Sequence, residues 1–155
     1  MDSFITLAHR INHTRYNLSY PTLSQVTGMI RDGNIVLWDS QYGKYTLAQA
    51  IEHIRKQPEN EMQYWKARLL PAVAYNGTFS ETDITHLISY SNVTAMDFDH
   101  IGTQDEMTDL RNWLIGTPCV LCVFVTPGGR GVKALILHDN TCLLYTSPSP
   151  RDRSV

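Results

Sequence analysis

Between Ala72 and Leu137, short apolar runs alternate with stretches that carry helix-start signals, and this alternation limits the chain to a layered α/β design. Ala72 to Tyr75 reads as a short strand, followed by an Asn76-Gly77-Thr78 turn. Ser80, with Asp83 in the capping-box position, predicts a helix carrying His86, Leu87 and Ile88. Val93 to Asp99 is a strand. Thr103 with Glu106 caps a second helix, whose Met107, Leu110 and Leu114 form a buried stripe. Val120 to Val125 and Gly131 to Leu137 are strands joined by a glycine-rich turn. The order strand–helix–strand–helix–strand–strand predicts an α/β (α+β) fold with a mixed β-sheet and helices packed on one side.

Upstream, the pattern is weaker. Residues 1–20 are polar and mixed, and read as a loose lead-in. Thr22 with Gln25 opens a helix that Gly33 stops, Ile35 to Trp38 is a strand, and Thr46 with Gln49 opens a helix with a Leu47, Ile51, Ile54 stripe. A further helix, ENEMQYWKARLL, runs towards Pro71. Residues 1–65 are thus expected to lead into the same domain as a 66–140 core. Residues 141–155, rich in Ser, Pro and Arg, read as a disordered or non-native tail.

The 13 basic and 15 acidic residues give a net charge of −2, so bulk charge does not announce a nucleic-acid partner; any such contact needs a local basic patch. No apolar run reaches the roughly 18 residues of a membrane span, and the N-terminus lacks a signal-peptide pattern. The three cysteines, Cys119, Cys122 and Cys142, fit reduced thiols, and the expected location is the cytoplasm. The sequons at Asn12, Asn17, Asn76 and Asn92 carry no weight without an export signal.

The chemistry concentrates in Ala95-Met-Asp-Phe-Asp-His100. Residues two apart on a strand share a face, so Asp97 and Asp99 stand side by side while Met96 and Phe98 face the other layer. Adjacent carboxylates at the end of an apolar strand repel one another unless a cation compensates. An all-oxygen donor set with open positions suits Mg²⁺ or Mn²⁺ bridging to phosphates. Taken alone, Asp-x-Asp is more often the start of a surface loop. Its place at the C-terminal end of a strand, where α/β proteins gather ligands, favours the metal reading.

Thr126-Pro-Gly-Gly-Arg-Gly-Val-Lys133 is the second candidate. Gly128, Gly129 and Gly131 let backbone amides approach an anion closely, and Arg130 and Lys133 add charge. No Lys-Ser/Thr and no helix follow, so it is not a P-loop, and alone it would be a hairpin turn. Lys133 shares a strand face with Leu135.

Other signals are slighter. His100 either assists a bound nucleotide or caps a turn. Lys66 and Arg68 form a modest basic patch, on a helix whose default is a solvated face. Cys119 and Cys122 have zinc-like spacing without a second half, and read as buried small hydrophobes. His9 and His13 lack a metalloprotease glutamate.

Taken together, Lys66-Ala-Arg-Leu-Leu-Pro-Ala-Val73, Asn76-Gly-Thr-Phe79, Met96-Asp-Phe-Asp-His100 and Thr126-Pro-Gly-Gly-Arg-Gly-Val-Lys133 resemble, in order, four segments of the VirE N-terminal-type domain. That domain is a primase–polymerase branch of the archaeo-eukaryotic primase superfamily. The resemblance implies nucleotide transfer from nucleoside triphosphates onto a DNA template and primer. It implies Asp97 and Asp99 as catalytic metal ligands and the Gly128–Lys133 turn, with His100, at the incoming nucleotide. Lys66 and Arg68 would touch nucleic acid. It also implies a fused or associated helicase in a mobile-element or phage protein. Thr126 and Gly128 stand where the family has serines. The superfamily's third acidic position lies downstream of the resemblance, and Asp139 comes too early to replace it.

Two rivals remain. Asp97 could be the nucleophile of a haloacid-dehalogenase-type phosphotransferase with Asp99 as acid/base, although Ile101 stands where that family has Thr or Val. Alternatively, the domain is catalytically inactive and binds nucleic acid or regulates a helicase.

Overall fold

The structure, a computed structural model, describes residues 2–10, 16–81 and 86–138. In chain order it comprises β1 (Thr6–Arg10), β2 (Tyr16–Ser19), α1 (Leu23–Asp32), β3 (Val36–Asp39), β4 (Gly43–Thr46), α2 (Leu47–Arg55) and α3 (Glu59–Leu69). There follow β5 (Ala72–Ala74), β6 (Gly77–Phe79), β7 (Leu87–Tyr90), β8 (Val93–Phe98), α4 (Gln104–Ile115), β9 (Val120–Val125) and β10 (Val132–Leu137).

Local chemistry sets the helix starts. Thr22, Thr46 and Thr103 each accept from the backbone N–H three residues on, while Gln25, Gln49 and Glu106 reach back to the cap amide. Each box therefore satisfies two orphan donors. Gly33 ends α1 in the left-handed region at φ 64°, where a side chain would be strained.

The sheet that carries the candidate residues has the order β8-β10-β9. Alternation along β10 splits its two faces. Val132 and Ala134, both fully buried, pack with Met107 and Leu114 of α4, and with Phe98, Val123 and Val125. Leu135 points the other way, into a cluster with Ile5, Val26, Tyr75 and Val93. The sheet is thus covered on one face by α4 and on the other by α1, Ile5, Val73 and Tyr75; β5 belongs to a β2-β1-β5 sheet.

The expected α+β class holds, as helices packed with small sheets. The details depart from expectation in five places. All ladders among the described residues are antiparallel. The β8–α4–β9 crossover leaves β8 and β9 parallel but one position apart, and the hairpin return of β10 fills the gap. Helices also cover both faces, since α1 packs opposite α4.

The helix expected after Ser80 does not form where it can be followed. Residues 82–85 lie outside the described residues, and Leu87 and Ile88 belong to β7, which pairs with β6 (Thr78 opposite Ser89). Strand pairing outweighs the capping signature there. The described part of residues 1–20 is no loose lead-in: Ile5 is fully buried, Leu7 nearly so, and β1 pairs with β5. Cys119 is exposed at φ 70° rather than buried, while Cys122 packs inward, with burial pushing its thiol up. Asp139 and the 141–155 tail lie outside the described residues. Among those residues, no helix is long and apolar enough to cross a membrane.

Candidate functional site

Asp97 lies on the last turn of the pleat in β8, on the face of Val93 and Ala95, directly opposite Lys133 in the β8–β10 register. The Lys133 ammonium is 3.2 Å from Asp97 Oδ1 and 5.8 Å from the centre of the Tyr75 ring. Tyr75 is buried, and that burial, then nearby Cys122 and Asp97, pushes its phenol up. The two charged side chains keep access to solvent, 40% for Asp97 and 26% for Lys133, so ions and phosphates can reach them.

Asp99 and His100 follow the strand's end and are exposed. His100 takes a left-handed backbone at φ 57°, which turns the chain away from the sheet. Two contacts tie this segment to the glycine-rich turn. Ile101 N–H donates to the Arg130 carbonyl at 3.1 Å. A Cβ on Gly131 would stand 2.8 Å from the Phe98 carbonyl oxygen, and 3.0 Å from both Asp99 Oδ1 and Thr126 Oγ1. Only glycine lets the turn sit this close to the second carboxylate.

The turn itself is closed by Thr126 N–H to the Gly131 carbonyl and Gly129 N–H to the Thr126 carbonyl. The N–H groups of Gly128, Arg130 and Gly131 are not taken up by backbone carbonyls among the described residues. Cations cross over it from two helices. Arg55, the last residue of α2, donates through Nε to the Pro127 carbonyl at 3.2 Å and through Nη2 to the Thr126 carbonyl at 3.4 Å. Lys66 of α3 brings its Nζ within 3.1 Å of where a Gly128 Cβ would be. Arg130 turns outward to Glu59, at 3.0 Å.

The sequence candidates therefore divide. Asp99 and Lys66 meet the Gly128-Gly129-Arg130-Gly131 turn, Asp97 and Lys133 pair on the strands that lead into it, and His100 is exposed beyond Asp99. Arg68 does not join them. It grips Asp39 through Nε and Nη2 at 3.0 and 3.1 Å, and its other donors go to Gln41 and Tyr64. That bidentate hydrogen bonding holds the Asp39 carboxyl at a pKa of about 2. Arg68 is thus a cross-link between α3 and the β3–β4 hairpin. Arg55 is the residue that sequence reasoning missed. No motif marks it, because its partners stand 71 and 72 residues away.

The donor chemistry fits a hard cation in part. Two carboxylates with solvent access could hold Mg²⁺ or Mn²⁺ beside waters and phosphate oxygens. Among the described residues, no group of three His, Cys, Asp or Glu side chains gathers as a metal cluster.

Fold and site together define an α+β domain in which a strand-end carboxylate pair abuts a glycine turn roofed by cations. A family model for the BT4734-like N-terminal domain matches residues 65–151, more than half of the chain, and the chain belongs to that family. The matched span holds both aspartates, the glycine turn and Lys66, but not Arg55. No curated protein and no solved structure matches the chain.

Proposed function

We propose that the chain carries a primase–polymerase domain of the VirE N-terminal type, which transfers nucleotides from nucleoside triphosphates to a DNA 3′-hydroxyl. The observation that carries this reading is the junction at Gly131, where the glycine turn lies against Asp99 with no room for a side chain. A turn with backbone amides free of carbonyl partners among the described residues, beside an exposed carboxylate, supports anion and metal binding side by side, as phosphoryl transfer needs.

When held by Asp97 and Asp99, Mg²⁺ or Mn²⁺ would offset phosphate charge and make the attacking hydroxyl more acidic. The protein's own residues do the rest by position. Lys133 fixes the Asp97 side chain and adds positive charge beside it. Arg55 pins the turn through its carbonyls, which leaves the amides of Gly128, Arg130 and Gly131 for a triphosphate. Lys66 contributes charge above the turn. Arg68 has no part in this site.

The test is primer extension and de novo priming with Mn²⁺ or Mg²⁺, using both ribo- and deoxyribonucleotides. Products that disappear with Asp97→Asn and with Asp99→Asn are expected. Product formation that survives both substitutions overturns the reading. One observation favours a second reading, a domain that binds nucleic acid without chemistry: Lys133 already balances the Asp97 charge. Nucleotide binding without divalent-ion dependence, and without transfer, would select it.

A further inference from the structure

Helix α3 presents two different stripes. Glu59, Met62 and Lys66, spaced at three and four residues, face the glycine turn: Glu59 holds Arg130, and Met62 and Lys66 approach Gly128. Tyr64, Trp65 and Arg68 face the β3–β4 hairpin and α2. There, Trp65 is 5.2 Å from Tyr64, 4.6 Å from His53 and 6.0 Å from Tyr42, centre to centre. The Arg68 guanidinium lies over both Tyr42 and Trp65, at 5.1 and 5.7 Å. Its four hydrogen bonds lock it in place, so the rings around it are held in a fixed array. Yet Tyr42 and Tyr64 are 52% and 57% exposed, more than aromatic packing requires.

Beside the array is a pocket of about 210 Å³ lined by Tyr42, Tyr45, Gln49, Ala50, His53 and Leu69. Its walls are aromatic and aliphatic. Gln49 spends its carbonyl oxygen on the Thr46 amide in the capping box, which leaves its –NH₂ as a donor at the rim. Tyr45 is held by its hydroxyl on the Leu69 carbonyl at 2.8 Å. Lys44, exposed and without an ion-pair partner among the described residues, adds charge on the hairpin.

We infer that this face is a binding platform for a single-stranded nucleic acid, with one base in the Tyr42–Tyr45–His53 pocket and neighbouring bases stacked on Tyr42 and Tyr64. Exposed rings held around one fixed guanidinium present the π-faces on which unpaired bases stack, and, among the described residues, Lys44 is the unpaired charge nearby for a phosphate. Both stripes belong to α3, so a strand on the rings must pass around the helix to reach Lys66 and the glycine turn. Most of the platform lies ahead of residue 65, outside the span that defines the family. The inference rests on the nucleic-acid reading above for its role, but it has its own test.

The probe is a fluorescein-labelled oligo(dT) 12-mer added to the whole chain, followed by anisotropy and tryptophan fluorescence at two salt concentrations. Binding with quenching is expected. Tyr42→Ala and Tyr64→Ala should each weaken it roughly 5- to 100-fold, as loss of about 1–3 kcal/mol of stacking per base implies. Tyr42→Phe should retain binding, and circular dichroism should show all three variants folded. Lys66→Ala should flatten the salt dependence, since it removes a charge rather than a stacking surface. The platform is overturned if the wild-type chain does not bind, or if folded alanine variants bind as well as wild type. Tyrosine-dependent binding without primer extension keeps the platform and removes the transferase reading. Primer extension with tyrosine-independent binding does the reverse.

Discussion

Lys133 and Asp97 face one another across the β8–β10 ladder, ammonium to carboxylate oxygen at 3.2 Å, at the one end of the sheet where the glycine turn also closes. The lysine therefore occupies the same electrostatic niche that a divalent ion would use, and the two should compete. Partly exposed pairs of this kind are worth about 0.5–1 kcal/mol. Lys133→Met should tighten Mn²⁺ binding roughly two- to fivefold, by isothermal titration or electron paramagnetic resonance. Unchanged or weaker Mn²⁺ binding would remove Asp97 from any metal site.

Gly131 and Gly128 should respond very differently to alanine. At Gly131, the new Cβ meets a backbone carbonyl at 2.8 Å, so the strand end and the turn must separate. A cost of about 1–3 kcal/mol in urea unfolding is expected. At Gly128, the nearest atom is the tip of a flexible lysine at 3.1 Å, which can move aside. Its stability should stay within about 0.5 kcal/mol, although nucleotide binding should fall if the Lys66 ammonium is displaced.

The Asp39–Arg68 pair gives the chain an acid-side weakness. Asp39 titrates at about 2 in the folded protein against 3.8 unfolded, so the unfolded chain takes up the proton first. Its contribution is complete above about pH 4 and drains away as the pH falls towards 2. Asp39→Asn should flatten that part of the stability profile. At neutral pH it should cost on the order of 1 kcal/mol, allowing for the water that reaches the arginine.

Ile5 tests whether the N-terminal strand is structural. It is fully buried beside Val93 and Leu135 on the central sheet. Ile5→Ala should lower the unfolding free energy by about 2–5 kcal/mol. A loss below about 0.5 kcal/mol would mean β1 does not close the core.

These residues also explain what the sequence could disclose. The three threonine-capped helices and the strand carrying Asp97 were legible because their signals are local, a cap and its partner three residues on or a short apolar run, although the strand stops at Phe98 and leaves Asp99 beyond its end. Strand β1 was not, because Ile5, Thr6, Leu7 and Ala8 are all buried and leave no alternation to detect. The segment after Ser80 carried a sound capping signature, but Leu87 to Tyr90 found a better partner in β6. Arg55 and the rings around Trp65 depend on helices α2 and α3 lying against segments distant in sequence, which no spacing rule encodes. Lys66 and Arg68 looked like one basic patch, yet two residues along a helix turn them to opposite flanks.

The outward donor of that helix geometry has a practical corollary for anyone trimming the gene. The family's first matched residue, Trp65, falls inside α3. An expression boundary placed there would halve a helix, strip β5 of its β1 partner and take Arg55 from the turn it clamps. The segment that the family model matches is smaller than the segment that folds.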